Sequence, residues 1–392
     1  MNQLGALENM SVFLSMYTRR GEKYMPGNSK DVSSFKVVAS LYQTLQGHNH
    51  AVLGASFSND GHVIVSHDPC TIRVWKWHDQ QQYVSHCVIE TEATAIATSH
   101  DGCFIASIYE DRILGEKVRL WSSDGKWVTD LSSQHDACHM IFTPDDRQLA
   151  VVDHSGCVSL WDVTTWTLLC ESDLPPNAIK TRLNNRIRFL AFAPDGQRLA
   201  IEWYTQNGAV QIYEIEEILH GGEIQWQISW SGAVAPAMVQ AHSIVRGLSY
   251  SPDWQYLAVA SDMECIVWIF DAFSLHLIGS FNLPRSIYGI ADIAYSSDGT
   301  YLALAHGDGT VWVWDVAYQN PILTFSAHLG DIGPYSTVIG SIDWSPNDRL
   351  IMTTGVGLYK NWDADTEKST LDKIDSSVKL WKIQKIPNPR IS

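Results

Sequence analysis

The chain has 392 residues, of which 45% are hydrophobic and 18% charged, with 16 Trp and a formal net charge of −16. That composition excludes an intrinsically disordered chain, and the acidic balance argues against a protein that grips nucleic acid through phosphate contacts. The 7 Cys include no CxxC pair and read as free thiols of a reducing compartment; with no run near the ~18–20 apolar residues of a spanning helix, cytoplasmic residence is expected.

In chain order, residues 1–35 form an extension outside the repeated body. Leu4, Leu7, Phe13, Leu14 and Tyr17 follow a helical spacing, with Arg19, Arg20 and Lys23 behind them. Glu8 and the lack of an early basic region make this a poor secretory signal. An amphipathic helix that rests on the body or tethers a partner fits it better than a membrane-surface anchor, because the apolar face is short. Residues 36–45, KVVASLYQTL, read as a lone strand.

A four-residue turn then recurs: SNDG at 58, SHDG at 99, TPDD at 143, APDG at 193, SPDW at 251, SSDG at 296 and SPND at 345. Pro presets φ in such a turn, Asp or Asn bonds its own backbone, and Gly accepts the left-handed conformation. Six of the turns follow an aromatic residue, namely Phe57, Phe142, Phe192, Tyr250, Tyr295 and Trp344, while Thr98 precedes the second. Short apolar strands such as HVIV, RLAI, YLAV and YLAL come after the turns, and a further strand ends in Trp75, Trp121, Trp161, Tyr213, Phe270, Trp314 or Trp381. In TVWVWDV at 310–316 the alternation puts Val311 and Val313 on one face and Trp312 and Trp314 on the other, which suits a strand covered on both sides.

Seven four-stranded units spaced at ~40–60 residues match an all-β, seven-bladed propeller of antiparallel blades. It spans residues 36–384, with 385–392 as a tail. The seventh unit runs out of chain before an outer strand of its own, so residues 36–45 are expected to supply that strand and close the ring, removing an unpaired edge.

These turns and strand ends resemble the WD-repeat family of β-propellers. The family pattern is Gly-His before a blade, Ser or Thr on its second strand, Asp in the next turn, and Trp-Asp closing the third. The resemblance implies a hydrogen-bonded network of His48, Ser66, Asp68 and Trp75 in the first blade, after Gly47. It implies a second network of His328, Thr354, Asp375 and Trp381 in the last. Trp161-Asp162 and Trp314-Asp315 are Trp-Asp pairs in register, Trp362-Asp363 lies inside an insertion, and the third blade has Ser155 where Asp is expected.

No nucleophile elbow, P-loop, HExxH or helix-opening GxGxxG occurs, and neither catalytic nor cofactor residues are assigned. The His residues of HDACH at 135–139 would lie ~13 Å apart on a strand, too far to share a metal. The acidic segment at 361–375 has Lys368 and Ile374 where a calcium loop needs Gly and Glu, and reads as a solvated excursion. No metal site is expected.

One constellation stands out in this acidic chain. Arg182, Arg186 and Arg188 precede the fourth blade, Arg246 the fifth, and Arg285 and Tyr288 the sixth, with Tyr335 before the seventh. Arg188 lies four residues before Phe192, and Arg246 lies four before Tyr250, so the two are equivalent on adjacent blades. In the family these incoming loops line the face most used for partners, and Arg and Tyr are favoured at binding hot spots. The reading is a non-enzymatic protein-interaction scaffold, a monomer or one subunit of a larger assembly, that takes an acidic or phosphorylated peptide. The alternatives are internal pairing of these Arg with residues such as Glu202 or Asp262, and a propeller enzyme or small-molecule-binding protein using the central channel.

Overall fold

The computed structural model describes residues 35–387, apart from 112–114, 133–135, 174–188, 204–208, 221–222, 235–244, 262–264, 285–288, 329–337, 357–359, 364–367 and 372–374. All regular elements among them are β-strands, gathered into seven four-stranded antiparallel sheets and one short hairpin.

The recurrent turn has a single mechanism. In six of the seven copies the first-position hydroxyl donates to the third-position side chain, as in Ser58 to Asp60 (2.6 Å), Ser99 to Asp101 (2.7 Å), Thr143 to Asp145 (2.8 Å) and Ser345 to Asn347 (2.9 Å). The same oxygen accepts the first amide of the returning strand, for example Val63 N at 3.0 Å and Leu350 N at 2.9 Å. The fourth position has positive φ in every copy, including Asp146 (56°), Trp254 (64°) and Asp348 (56°) where Gly is replaced.

The first strands of the blades are Gly54–Phe57, Ala95–Thr98, Ala137–Phe142, Leu190–Phe192, Val245–Tyr250, Ile290–Tyr295 and Ile339–Trp344. Each lies against the next, and the last returns to the first: Ala55 N donates to Ser341 Oγ (3.2 Å) and Phe57 N to Asp343 Oδ2 (3.2 Å). The core sits between blades, where each sheet covers its neighbour. Val311 and Val313 are fully buried against the seventh blade, and Trp314 stacks on Phe281 of the fifth blade at 4.2 Å. A strand covered on both sides therefore explains the paired tryptophans.

Ring closure follows the sequence expectation. Phe35–Leu45 is the outer strand of the seventh sheet, pairing antiparallel with Val378–Pro387 from Phe35↔Pro387 to Leu45↔Val378. It also holds the first blade: Gln43 donates to Tyr83 O (2.7 Å) and accepts from Tyr83 N (2.9 Å), and Tyr42 donates to Gln81 O. Part of the expected excursion is ordered pairing instead. Lys360–Asp363 and Lys368–Leu371 form a separate hairpin, so Trp362 and Asp363 lie outside the blades. No helix among the described residues is long and apolar enough to cross a membrane.

Candidate partner-binding face and the networks beneath it

The loops that lead into each blade share one face of the ring with the turns between second and third strands. Beneath this loop face the first blade carries a chain of hydrogen bonds. Trp75 Nε1 donates to Ser66 Oγ (2.9 Å), Ser66 Oγ lies 2.8 Å from His48 Nε2, and His48 Nδ1 lies 3.0 Å from Asp68 Oδ2. The order is self-consistent for a neutral ring: indole to hydroxyl, hydroxyl to Nε2, Nδ1–H to carboxylate. Burial pushes the His48 pKa down, against the raising influence of Asp68. Burial works to raise the Asp68 pKa, but the Cys70 amide, the His48 ring and the Thr71 amide outweigh it and hold the carboxyl at about 2. Such a histidine, held by a hydroxyl on one nitrogen and a carboxylate on the other, clamps a turn to a sheet.

The seventh blade repeats the clamp with a one-residue difference from the sequence expectation. His328 Nδ1 lies 2.7 Å from Asp375 Oδ2, but its Nε2 meets Thr353 Oγ1 at 2.9 Å, and Trp381 Nε1 donates to that same Thr353 hydroxyl at 3.1 Å. Thr354 is not the partner; it takes the Ser341 amide at 2.9 Å. The register explains this. Ile64 pairs with Trp75 and Ile351 with Trp381, so the residue two further on, Ser66 or Thr353, shares the tryptophan's face, whereas Thr354 faces the other way.

Other blades keep fragments. Trp121 Nε1 donates to Ser107 Oγ (2.9 Å) and Trp161 Nε1 to Ser159 Oγ (3.1 Å). In the third blade Asp153 folds the turn itself, accepting from Ser155 N (2.8 Å), Ser155 Oγ (2.7 Å) and Cys157 N (2.9 Å). His306 of the sixth blade lies 2.9 Å from Asp308 and 3.7 Å from Cys265 Sγ.

Arg246 is the second residue of Val245–Tyr250, partly buried, at the loop-face end of the fifth blade's inner strand. Arg182, Arg186, Arg188, Arg285, Tyr288 and Tyr335 lie outside the described residues, as does Asp262; Glu202 is buried on the second strand of the fourth blade. His135 of HDACH is likewise outside them, while the His139 ring accepts the Met140 amide at 2.9 Å. Among the described residues no group of His, Cys, Asp and Glu could hold a metal ion.

Sequence reasoning missed two partly buried carboxylates on the inner strands. Asp292 accepts from Ile293 N (2.8 Å) and, across the blade junction, from Ile342 N (3.0 Å). Asp343 accepts from Trp344 N (2.9 Å) and, across the next junction, from Phe57 N (3.2 Å). Burial raises Asp292 from 3.8 to about 7, with the Asp343 charge adding to it and two amides opposing it; burial raises Asp343 to about 6. The signal was present as Asp at strand positions where none of the other copies holds a carboxylate, but their role depends on the neighbouring blade.

With this geometry in place, comparison with known proteins agrees with it. The family description "WD domain, G-beta repeat" matches residues 39–76 and 279–315. The chain is a WD-repeat β-propeller protein. Both matched segments begin on the outer strand of one blade and end on the third strand of the next, so the family's repeat is offset from the blade by one strand. Actin-interacting protein 1 of Drosophila melanogaster is 23% identical over 242 residues, covering 54% of this chain and 39% of that protein. WD repeat-containing protein 1 of Xenopus tropicalis is 23% identical over 252 residues, covering 55% and 39%. WD repeat-containing protein SL1-17 of Schistosoma mansoni is 27% identical over 192 residues, covering 48% and 54%. The matches thus span well under half the length of the first two relatives.

Proposed function

We propose that this WD-repeat propeller is a non-enzymatic interaction platform whose loop face captures an acidic or phosphorylated peptide of a partner protein. The position of Arg246, at the loop-face end of an inner strand in a closed ring, carries the reading. Sequence spacing gives Arg188 the equivalent place one blade earlier, and Arg on adjacent blades suits bidentate contacts to carboxylate or phosphate. A ring whose blades are joined strand to strand holds its loops at fixed spacing, and little entropy is lost when a partner docks. The fly relative is named for interacting with actin, which makes actin the first protein partner to assay.

The test compares wild type with an Arg188→Glu/Arg246→Glu variant of the full chain, by affinity capture and by titration with an acidic phosphopeptide and with actin. The variant should release its partner while circular dichroism shows the ring still folded. Retention of every captured partner, with unchanged peptide affinity, removes the proposal.

A further inference from the structure

We infer that the opposite face of the ring carries a second docking site, a cleft between the third and fourth blades that takes an extended lysine- and arginine-rich segment of a partner protein. The cleft has a volume of about 530 Å³. Its floor is the pair of turns at 143–148 and 194–197, and its outer wall is made by Ile215, Glu216, Glu217 and Trp226 of the fourth blade's outer hairpin.

The cleft exists because the fourth blade departs from the others. Its outer strands, Ala209–His220 and Glu223–Val234, are each 12 residues long and pair to their tip at His220↔Glu223. The second strand of the blade ends its pairing at Arg198↔Glu214, so beyond Ile215 the longer strand has lost its inner neighbour and leaves a backbone edge open beside the cleft. At two other junctions on this face the turns are joined by carboxylate bonds: His100 N and Asp101 N both donate to Asp146 at 2.7 Å, and Ser297 N and Asp298 N donate to Asp348 at 2.6 and 3.0 Å. At the cleft, Pro144 merely lies 3.6 Å from the position a Gly196 side chain would take.

Two independent observations point to a cationic, extended occupant. The lining holds four carboxylates, Asp145, Asp195, Glu216 and Glu217, against one guanidinium, Arg147. Arg198 behind them is engaged by Asp195 (2.8 Å) and Ala272 O (2.9 Å). The hairpin from 209 to 234 carries Glu214, Glu216, Glu217 and Glu223 with no Lys or Arg. Separately, Gln148 lines the cleft at only 5% exposure, and no described group hydrogen-bonds its side-chain amide. That amide still meets solvent at the cleft, where a peptide backbone laid along the open edge would offer it a direct partner. Trp226 and the two prolines supply apolar surface for the stems of Lys or Arg.

The probe is a short labelled peptide alternating arginine and alanine, titrated at physiological salt by fluorescence anisotropy into the full chain. It is compared across wild type, Glu216→Lys/Glu217→Lys, and a control of equal charge change, Glu90→Lys/Glu92→Lys, whose exposed residues lie at the loop-face end of the first blade's outer strand. The cleft variant should bind about tenfold more weakly while the control stays close to wild type. Equal weakening in both variants would reduce the binding to the net charge of the whole protein and overturn the inference, as would no weakening in either. Tighter binding after deletion of residues 1–30 would place the chain's own Arg19–Lys23 segment in the cleft and overturn the assignment to a partner.

Discussion

Asp292 joins the inner strands of the sixth and seventh blades by accepting the Ile342 amide, and it does so from a partly buried position between the two blades. Its pKa rises from 3.8 to about 7 in the folded protein, first because burial penalises the charge and second because Asp343 adds a like charge. The folded state therefore holds a proton that the unfolded chain releases. The resulting stability is fully present below about pH 4 and is lost as pH climbs through about 7. At about 1.4 kcal/mol for each tenfold change in proton affinity, the carboxylate opposes folding by up to about 4 kcal/mol once ionised. Asparagine keeps one carbonyl acceptor, as the protonated acid does, and carries no charge. Asp292→Asn should match wild type in urea unfolding below about pH 4, pull ahead as pH rises, and exceed it by a few kcal/mol at about pH 8. Parallel stability profiles across that range would mean that Asp292 is ionised throughout, and would refute the argument that desolvation outweighs the two amides.

The closing strand and the first-blade clamp give two further tests. Deleting residues 1–45 removes the Phe35–Leu45 ladder, the buried Leu45 and both Gln43–Tyr83 bonds, so the whole ring should melt at lower temperature, whereas deleting 1–30 should leave melting unchanged; equal melting temperatures would contradict closure by this strand. His48→Ala strips Asp68 and Ser66 of a buried partner and should cost about 1–3 kcal/mol in denaturant unfolding, and a neutral result would remove the clamp from the list of forces holding the first blade.

The ring was legible in the sequence because its joints are local. A Ser-x-Asp-Gly turn is built by bonds between residues two to five apart, and seven such turns in one chain leave little choice of architecture. The closing strand was legible too, because a blade that runs out of chain has an edge to cover. The His48 clamp could be proposed by resemblance, but in the last blade Thr353 and Thr354 are equivalent as letters, and only the strand register decides which of them faces Trp381.

What the sequence by itself determined is thus the set of turns, the alternation and the count of blades, all of which depend on neighbours within a few residues. Tertiary structure alone decided three things: which threonine completes the clamp, that Asp343 answers an amide 286 residues away in the chain, and that a long acidic hairpin walls a cleft beside the third blade. Each arises from the contact of one blade with the next, and that contact is written in no single stretch of residues.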